Sequence, residues 1–164
     1  MEALIRRMAS LDAPAVDRIA AEAYGAGFED PAAFAAKVAA GIGLVAVVGT
    51  EIAGYGVALP WHGALPELQA RPGGPVDHPE YLHVHDICVA AAHRGAGIGP
   101  ALMTAFDAVA GELGLTTMSC VAVHGAEVVW ARLGWTTSGH AVPADYPSGS
   151  VAMTRFADAS VRFT

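Results

Sequence analysis

The stretch HDICVAAAHRGAGIGPALMTAF, residues 85–106, constrains this chain more than any other. It runs from a strand-like segment through a small-residue link into Gly95, Gly97 and Gly99, then into a helix. A plain turn has little use for three glycines in five residues. A helix N-terminus that an anion must reach does have a use for them. The first N–H groups of a helix lack intrahelical partners, and the helix dipole adds partial positive charge there. Glycine removes the Cβ that would obstruct approach and permits positive φ. Several such amides acting together form a phosphate cradle. Two familiar cradles do not fit. No GxxxxGK[ST] occurs, and GxGxxG fails because Gly97-Ile98-Gly99 is followed by Pro100, Ala101 and Leu102.

The flanking segments supply the framework. Residues 3–8 predict a short first strand, and Ser10 or Asp12 caps a helix to about Tyr24 with Val16, Ile19, Ala20 and Ala23 on one face. Asp30-Pro31 places Asp at the N-cap and Pro at the first position of a second helix, buried through Phe34 and Val38 and ended by Gly41. Leu44–Val48 and Ile52–Leu59 predict a hairpin turning at Gly49-Thr50-Glu51. Residues 60–80, rich in Pro and Gly, form a long loop of the kind that often carries function. Tyr81–Val89 is a strand. Ile98, Leu102, Phe106, Val109 and Leu113 mark one face of a helix that Gly114 stops. Thr116–Val123 is a strand, Ala126–Leu133 a short helix, and Trp135–His140 and Val151–Phe156 the last strands. Alternating strands and helices without a repeat indicate one domain over residues 1–164, of class α/β, or α+β with a mixed sheet.

Composition excludes several roles. With 54% hydrophobic and 15% charged residues the chain is no disordered tail. No apolar run reaches membrane-spanning length, and MEALIRRMASLDAP lacks the apolar core of a leader. A net charge of −7 argues against a nucleic-acid partner. Cys88 and Cys120, without a CxxC, read as reduced core thiols of a cytoplasmic protein.

Arg94-x-x-Gly97-x-Gly99, preceded by Ile87-Cys88-Val89 and followed by a helix, resembles motif A of the GNAT superfamily, the N-acetyltransferases that use acetyl-CoA. EVVWARLGW, residues 127–135, is similar to that superfamily's second landmark, a helix ending in LGF. The resemblance covers most of the chain. It implies a mostly antiparallel mixed sheet of six or seven strands, about four flanking helices, and fourth and fifth strands that splay apart. The pantetheine arm would lie in that gap against the backbone of Ile87, Cys88 and Val89, in the manner of an added strand. The amides of Arg94, Gly95, Ala96, Gly97, Ile98 and Gly99 would hold the pyrophosphate, and the Val89 N–H would face the thioester carbonyl. The backbone of Arg94 is implicated rather than its side chain, although His93 and Arg94 add local positive charge. The acceptor would be a small amine or a peptide N-terminus, and a homodimer is a further expectation of the family.

The chain departs from the family at two positions. The usual acid, a Tyr in the helix before LGF, is replaced by Trp130, and the usual Asn by Val123. An indole N–H is no proton donor in the acid–base sense. A thiol with a reference pKa near 8.5 nevertheless leaves without full protonation, and Tyr146 or Tyr24 could substitute. Trp130 then reads as an apolar wall beside the thioester or as core. For the base, YLHVHDICV is the informative strand. Period two puts Tyr81, His83, His85, Ile87 and Val89 on one face unless a bulge intervenes. His83 stands where some relatives carry a catalytic Glu. His85-Asp86 resembles the LHDLAV variant of a bacterial branch, which also has a Pro-Trp after the third strand, like Pro60-Trp61 here, and a Trp at the position of Trp130. His85, Asp86 and His83 are therefore the catalytic candidates, and Trp61, His62 and Trp130 the candidates for the acceptor pocket. Two other readings compete. His83-x-His85-Asp86 could ligate a metal, but it lacks an HxHxDH pattern and no metal site is expected. A chain keeping the cofactor cleft without the chemistry would be an acyl-CoA sensor.

Overall fold

A computed structural model describes residues 2–162. Its strands are β1 (Leu4–Arg7), β2 (Ile42–Val48), β3 (Glu51–Trp61), β4 (Tyr81–Val89), β5 (Thr117–Ala122), β6 (Thr136–Thr137) and β7 (Val151–Phe156). Its α-helices are α1 (Ala13–Tyr24), α2 (Pro31–Ala40), α3 (Ile98–Glu112) and α4 (Glu127–Arg132). The strands form one mixed sheet in the order β1-β2-β3-β4-β5-β7-β6. Among the described residues only the β4–β5 pairing is parallel. The expected class, strand number and helix number all hold.

Packing follows from strand alternation. On one face Leu44, Leu82, Val84 and Met118 meet Leu102 and Phe106 of α3. On the other, Val45, Tyr55, Val57 and Cys88 meet Val16 and Ile19 of α1, with Phe34 and Val38 of α2 at the edge. Beyond them Tyr81, Val121 and Val123 gather Leu65, Phe28 and Tyr146. Gly56 brings α3 close to the sheet, since a Cβ there would lie 2.6 Å from Phe106 Cε2.

Several local expectations change. A 3-10 turn at Ser10–Asp12 precedes α1, and the Asp12 carboxylate turns back to accept from Arg6 and the Ala9 amide instead of the first helical amides. Ala23 is exposed, because the last turn of α1 directs Tyr24 inward instead. On α2 the residues most removed from solvent are Ala33, Lys37 and Ala40, while Phe34 and Val38 are half-buried. Residues 135–140 yield only the two-residue β6, and Trp135 packs inward against Trp130 with ring centroids 5.2 Å apart.

Candidate active site

Two irregularities in β4 create the site. The first is its bond to β5, which is limited to Leu82↔Met118 and His83↔Ser119. Past His83 the two strands part, as the resemblance implied. The second is a bulge against β3. Val57 pairs with Asp86 and Ala58 with Val84, so His85 is the extra residue. The bulge shifts the alternation by one. His83, Asp86 and Cys88 therefore share the α1–α2 side, while Ile87 and Val89 pack toward α3. The bulge is the exception that the strand alternation allowed for, so Tyr81, His83, His85, Ile87 and Val89 do not share one face.

A cavity of about 880 Å³ opens along the gap. At one end it is lined by Ile87, Cys88, Val89, Arg94 and Gly99, with Val129, Trp130 and Leu133 around α4. The glycine loop meets it there. Gly97 is the N-cap of α3 with φ of 81°, a conformation that favours glycine. No amide from Gly95 to Gly99 donates to another group among the described residues. A Cβ at Gly95 or Gly97 would meet no atom within 4 Å, and one at Gly99 only Val89 Cγ2 at 4.0 Å. Ile98 is different, since the residue is only 2% exposed and its side chain sits in the core. The Arg94 guanidinium donates from Nε to the Val89 carbonyl at 3.3 Å, tying the loop to the end of β4. Open amides, absent Cβ atoms and a parted strand pair together suit a diphosphate with an extended amide-bearing arm.

The opposite end holds the polar candidates. Glu29, in the α1–α2 loop, accepts from His85 Nε2 at 2.8 Å through Oε1 and from Lys37 Nζ at 2.8 Å through Oε2. The Lys37 side chain is fully buried and also donates to the carbonyls of Leu68 and Ala70. Burial alone would raise the Glu29 carboxyl, but its bonds to His85 and Lys37 outweigh this and hold it below the usual carboxylate range. A carboxylate on Nε2 assigns the ring proton there. That leaves Nδ1 of His85, buried and without a partner among the described residues, as a lone-pair acceptor beside the cavity. Asp86 accepts from the hydroxyls of Tyr24 at 2.6 Å and Tyr55 at 2.5 Å, and burial raises its carboxyl.

The candidates thus separate. His85, Asp86 and Trp130 line the cavity; His83, Trp61 and His62 do not. His83 is fully buried behind His85, its ring nitrogen Nδ1 2.8 Å from Ser119 Oγ, and burial pushes its pKa well below the usual imidazole value. That burial corrects the expectation of direct base work at His83. Trp61 donates its indole N–H to the Ala64 carbonyl at the start of the long loop, and His62 beside it is exposed. Tyr146 and Tyr24, which no sequence pattern could place, both line the cavity. Burial keeps the Tyr146 hydroxyl protonated. Glu29, Lys37 and Tyr55 join the site without forming any motif in the sequence. Their one signal was Lys37 itself, a cation on the apolar face of PAAFAAKVAA, which has to find a carboxylate. Among the described residues no cluster of His, Cys, Asp and Glu could hold a metal ion, and no helix is long and apolar enough to cross a membrane.

Comparison with known proteins adds a family. The sequence profile described as "Acetyltransferase (GNAT) family" matches residues 6–135. Among solved structures, Ard1 from Thermoplasma volcanium superposes with a TM-score of 0.72 at 17% identity, covering 96% of this chain and 99% of that one. The GNAT family N-acetyltransferase YhbS from Escherichia coli, solved with CoA, gives 0.68 at 17% identity over 96% and 83%. An aminoglycoside 6'-N-acetyltransferase solved with coenzyme A gives 0.71 at 14% identity over 94% and 97%. Likenesses this remote in sequence carry the fold. No curated protein matches the chain.

Proposed function

Because the chain belongs to the GNAT acetyltransferase family, we propose that it transfers an acyl group, in the first instance acetyl, from acyl-coenzyme A to a primary amine by direct attack in a ternary complex. The observation that carries this reading is the meeting of two features at one cavity. The β4–β5 gap and the unbonded amides of Gly95 to Gly99 lie toward one end, and toward the other stands His85, whose buried Nδ1 has no partner among the described residues.

Bound acyl-coenzyme A supplies the thioester. The chain's residues do the rest. The amides of residues 95–99 hold the diphosphate, and the backbone of Ile87 to Val89 orients the arm. Trp130, edge-on to Trp135, forms the apolar wall beside it. Nδ1 of His85 takes a proton from the acceptor nitrogen, while Glu29 retains the Nε2 proton and steadies the imidazolium. Asp86, held between two tyrosine hydroxyls, fixes the bulge that presents His85. Tyr146, protonated and on the cavity wall, offers a hydroxyl hydrogen bond to the leaving thiolate in place of the usual residue at Trp130.

The test combines binding with turnover. Calorimetry should show saturable coenzyme A binding that Gly99→Val weakens about tenfold or more, since Gly99 has ordinary φ and a Cβ there meets only Val89 Cγ2, at 4.0 Å, in the free protein. Following free thiol with acetyl-CoA and a panel of amines should show amine-dependent release. An open cleft that ignores millimolar coenzyme A would overturn the proposal. Tight binding without thiol release for any amine would instead establish the sensor, which the replacement at Trp130 favours.

A further inference from the structure

We propose that the acceptor is a small amine with a single cationic nitrogen and an aromatic or compact apolar body, and that the cavity rejects polycations. The inference rests on the acyltransfer reading and narrows it.

The end of the cavity remote from the glycine loop is aromatic. Tyr24 stacks on Phe28 with centroids 5.0 Å apart, and Phe28 meets the His124 ring at 5.6 Å. Leu68 and Tyr146 complete the wall. An aryl or alkyl group placed there leaves water for apolar surface, and aromatic faces also attract one cation.

Its carboxylates are spent. Both Glu29 oxygens are engaged, by Lys37 and by His85, so the Lys37 ammonium already neutralises the deepest anion in the wall. Both Asp86 oxygens accept from tyrosine hydroxyls. The remaining lining carboxylate is Asp17, exposed on α1 and without a partner among the described residues. Arg94 adds a cation at the cofactor end. A polyamine or aminoglycoside would have to strip water from several ammonium groups with at most one free carboxylate to receive them. A monoamine loses water from one nitrogen, and the apolar wall favours the neutral form that attacks.

The experiment has two arms. In the first, kcat/KM is measured at saturating acetyl-CoA for phenethylamine and tryptamine against spermidine and kanamycin. The arylalkylamines should lead by about 100-fold or more; parity or a lead for the polycations overturns the assignment. In the second, phenethylamine and spermidine are titrated calorimetrically into the protein with and without coenzyme A, so the amine site is read even if no turnover occurs. Saturable phenethylamine binding without comparable spermidine binding supports the assignment, and if no thiol is then released only the acyltransfer reading falls. Spermidine binding as tightly as phenethylamine, or no phenethylamine binding in either state, overturns it. Phe28→Ala should weaken phenethylamine about tenfold and leave coenzyme A affinity unchanged. Phe28→Leu, which keeps apolar bulk, should recover part of the loss if the alanine variant folds poorly.

Discussion

Lys37 shows how much one side chain decides here. Its ammonium is fully buried and neutralises Glu29, which in turn holds His85. Replacing it by Met leaves a buried carboxylate with one partner fewer, and removing one member of a buried pair costs about 3 kcal/mol or more. Urea denaturation of Lys37→Met should show that loss. Glu29→Gln keeps the shape but no longer fixes the imidazole tautomer. Its amine-dependent turnover should fall by about 10²-fold while coenzyme A affinity holds, and imidazole nitrogen shifts should report mixed tautomers at His85. An unchanged tautomer in that variant would remove Glu29 from the positioning role. The local pattern marks Lys37 as a cation in need of a carboxylate, but not which carboxylate meets it. Glu29 and His85 are 56 residues apart, and nothing within a strand or helix marks a pair that forms only between elements.

Among the elements, β4 and α3 shape the cavity. Tyr81–Val89 and the end of the glycine loop at Ile98 could be placed from alternation, the glycine spacing and the helical period. The bulge at His85 could not. A bulge is one residue of extra length measured against the partner strand, so it belongs to the pairing of β3 with β4 and not to either strand alone. Its consequence is that Asp86 and His85 sit on the side of α1 and α2, where Tyr24, Tyr55 and Glu29 meet them. The seat of α3 is equally a property of two elements. Gly56→Ala would place a methyl against the buried Phe106 ring and should cost about 1–3 kcal/mol, measured as a drop in the urea midpoint. Tolerance of alanine there would mean that α3 slides on the sheet more freely than its packing indicates.

At the scale of the whole molecule, the buried ionisable groups set the pH dependence of stability. The native pKa of His83 lies below its value in the unfolded chain because the ring is buried. As pH falls through about 6.5 the unfolded chain gains a proton that the native one refuses, so stability declines by up to about 1.4 kcal/mol per pH unit. Asp86 acts in the opposite sense, since burial makes the native chain take its proton first. Asp12 and Glu29, held below the usual range, lend stability that is lost only as pH falls below about 4. Thermal unfolding at pH 7.5 and 5.5 should therefore differ, and His83→Leu should flatten that difference; an equal slope in the variant would assign the effect elsewhere. The order of elements, the glycine loop and the family resemblance all lie in residues close together along the chain, because helical periods, glycine spacing and capping act over a few positions. The parting of β4 from β5, the direction of His85 and the neutralisation of its carboxylate depend on segments tens of residues apart, and hydrogen bonds and burial across such distances exist once the chain has packed.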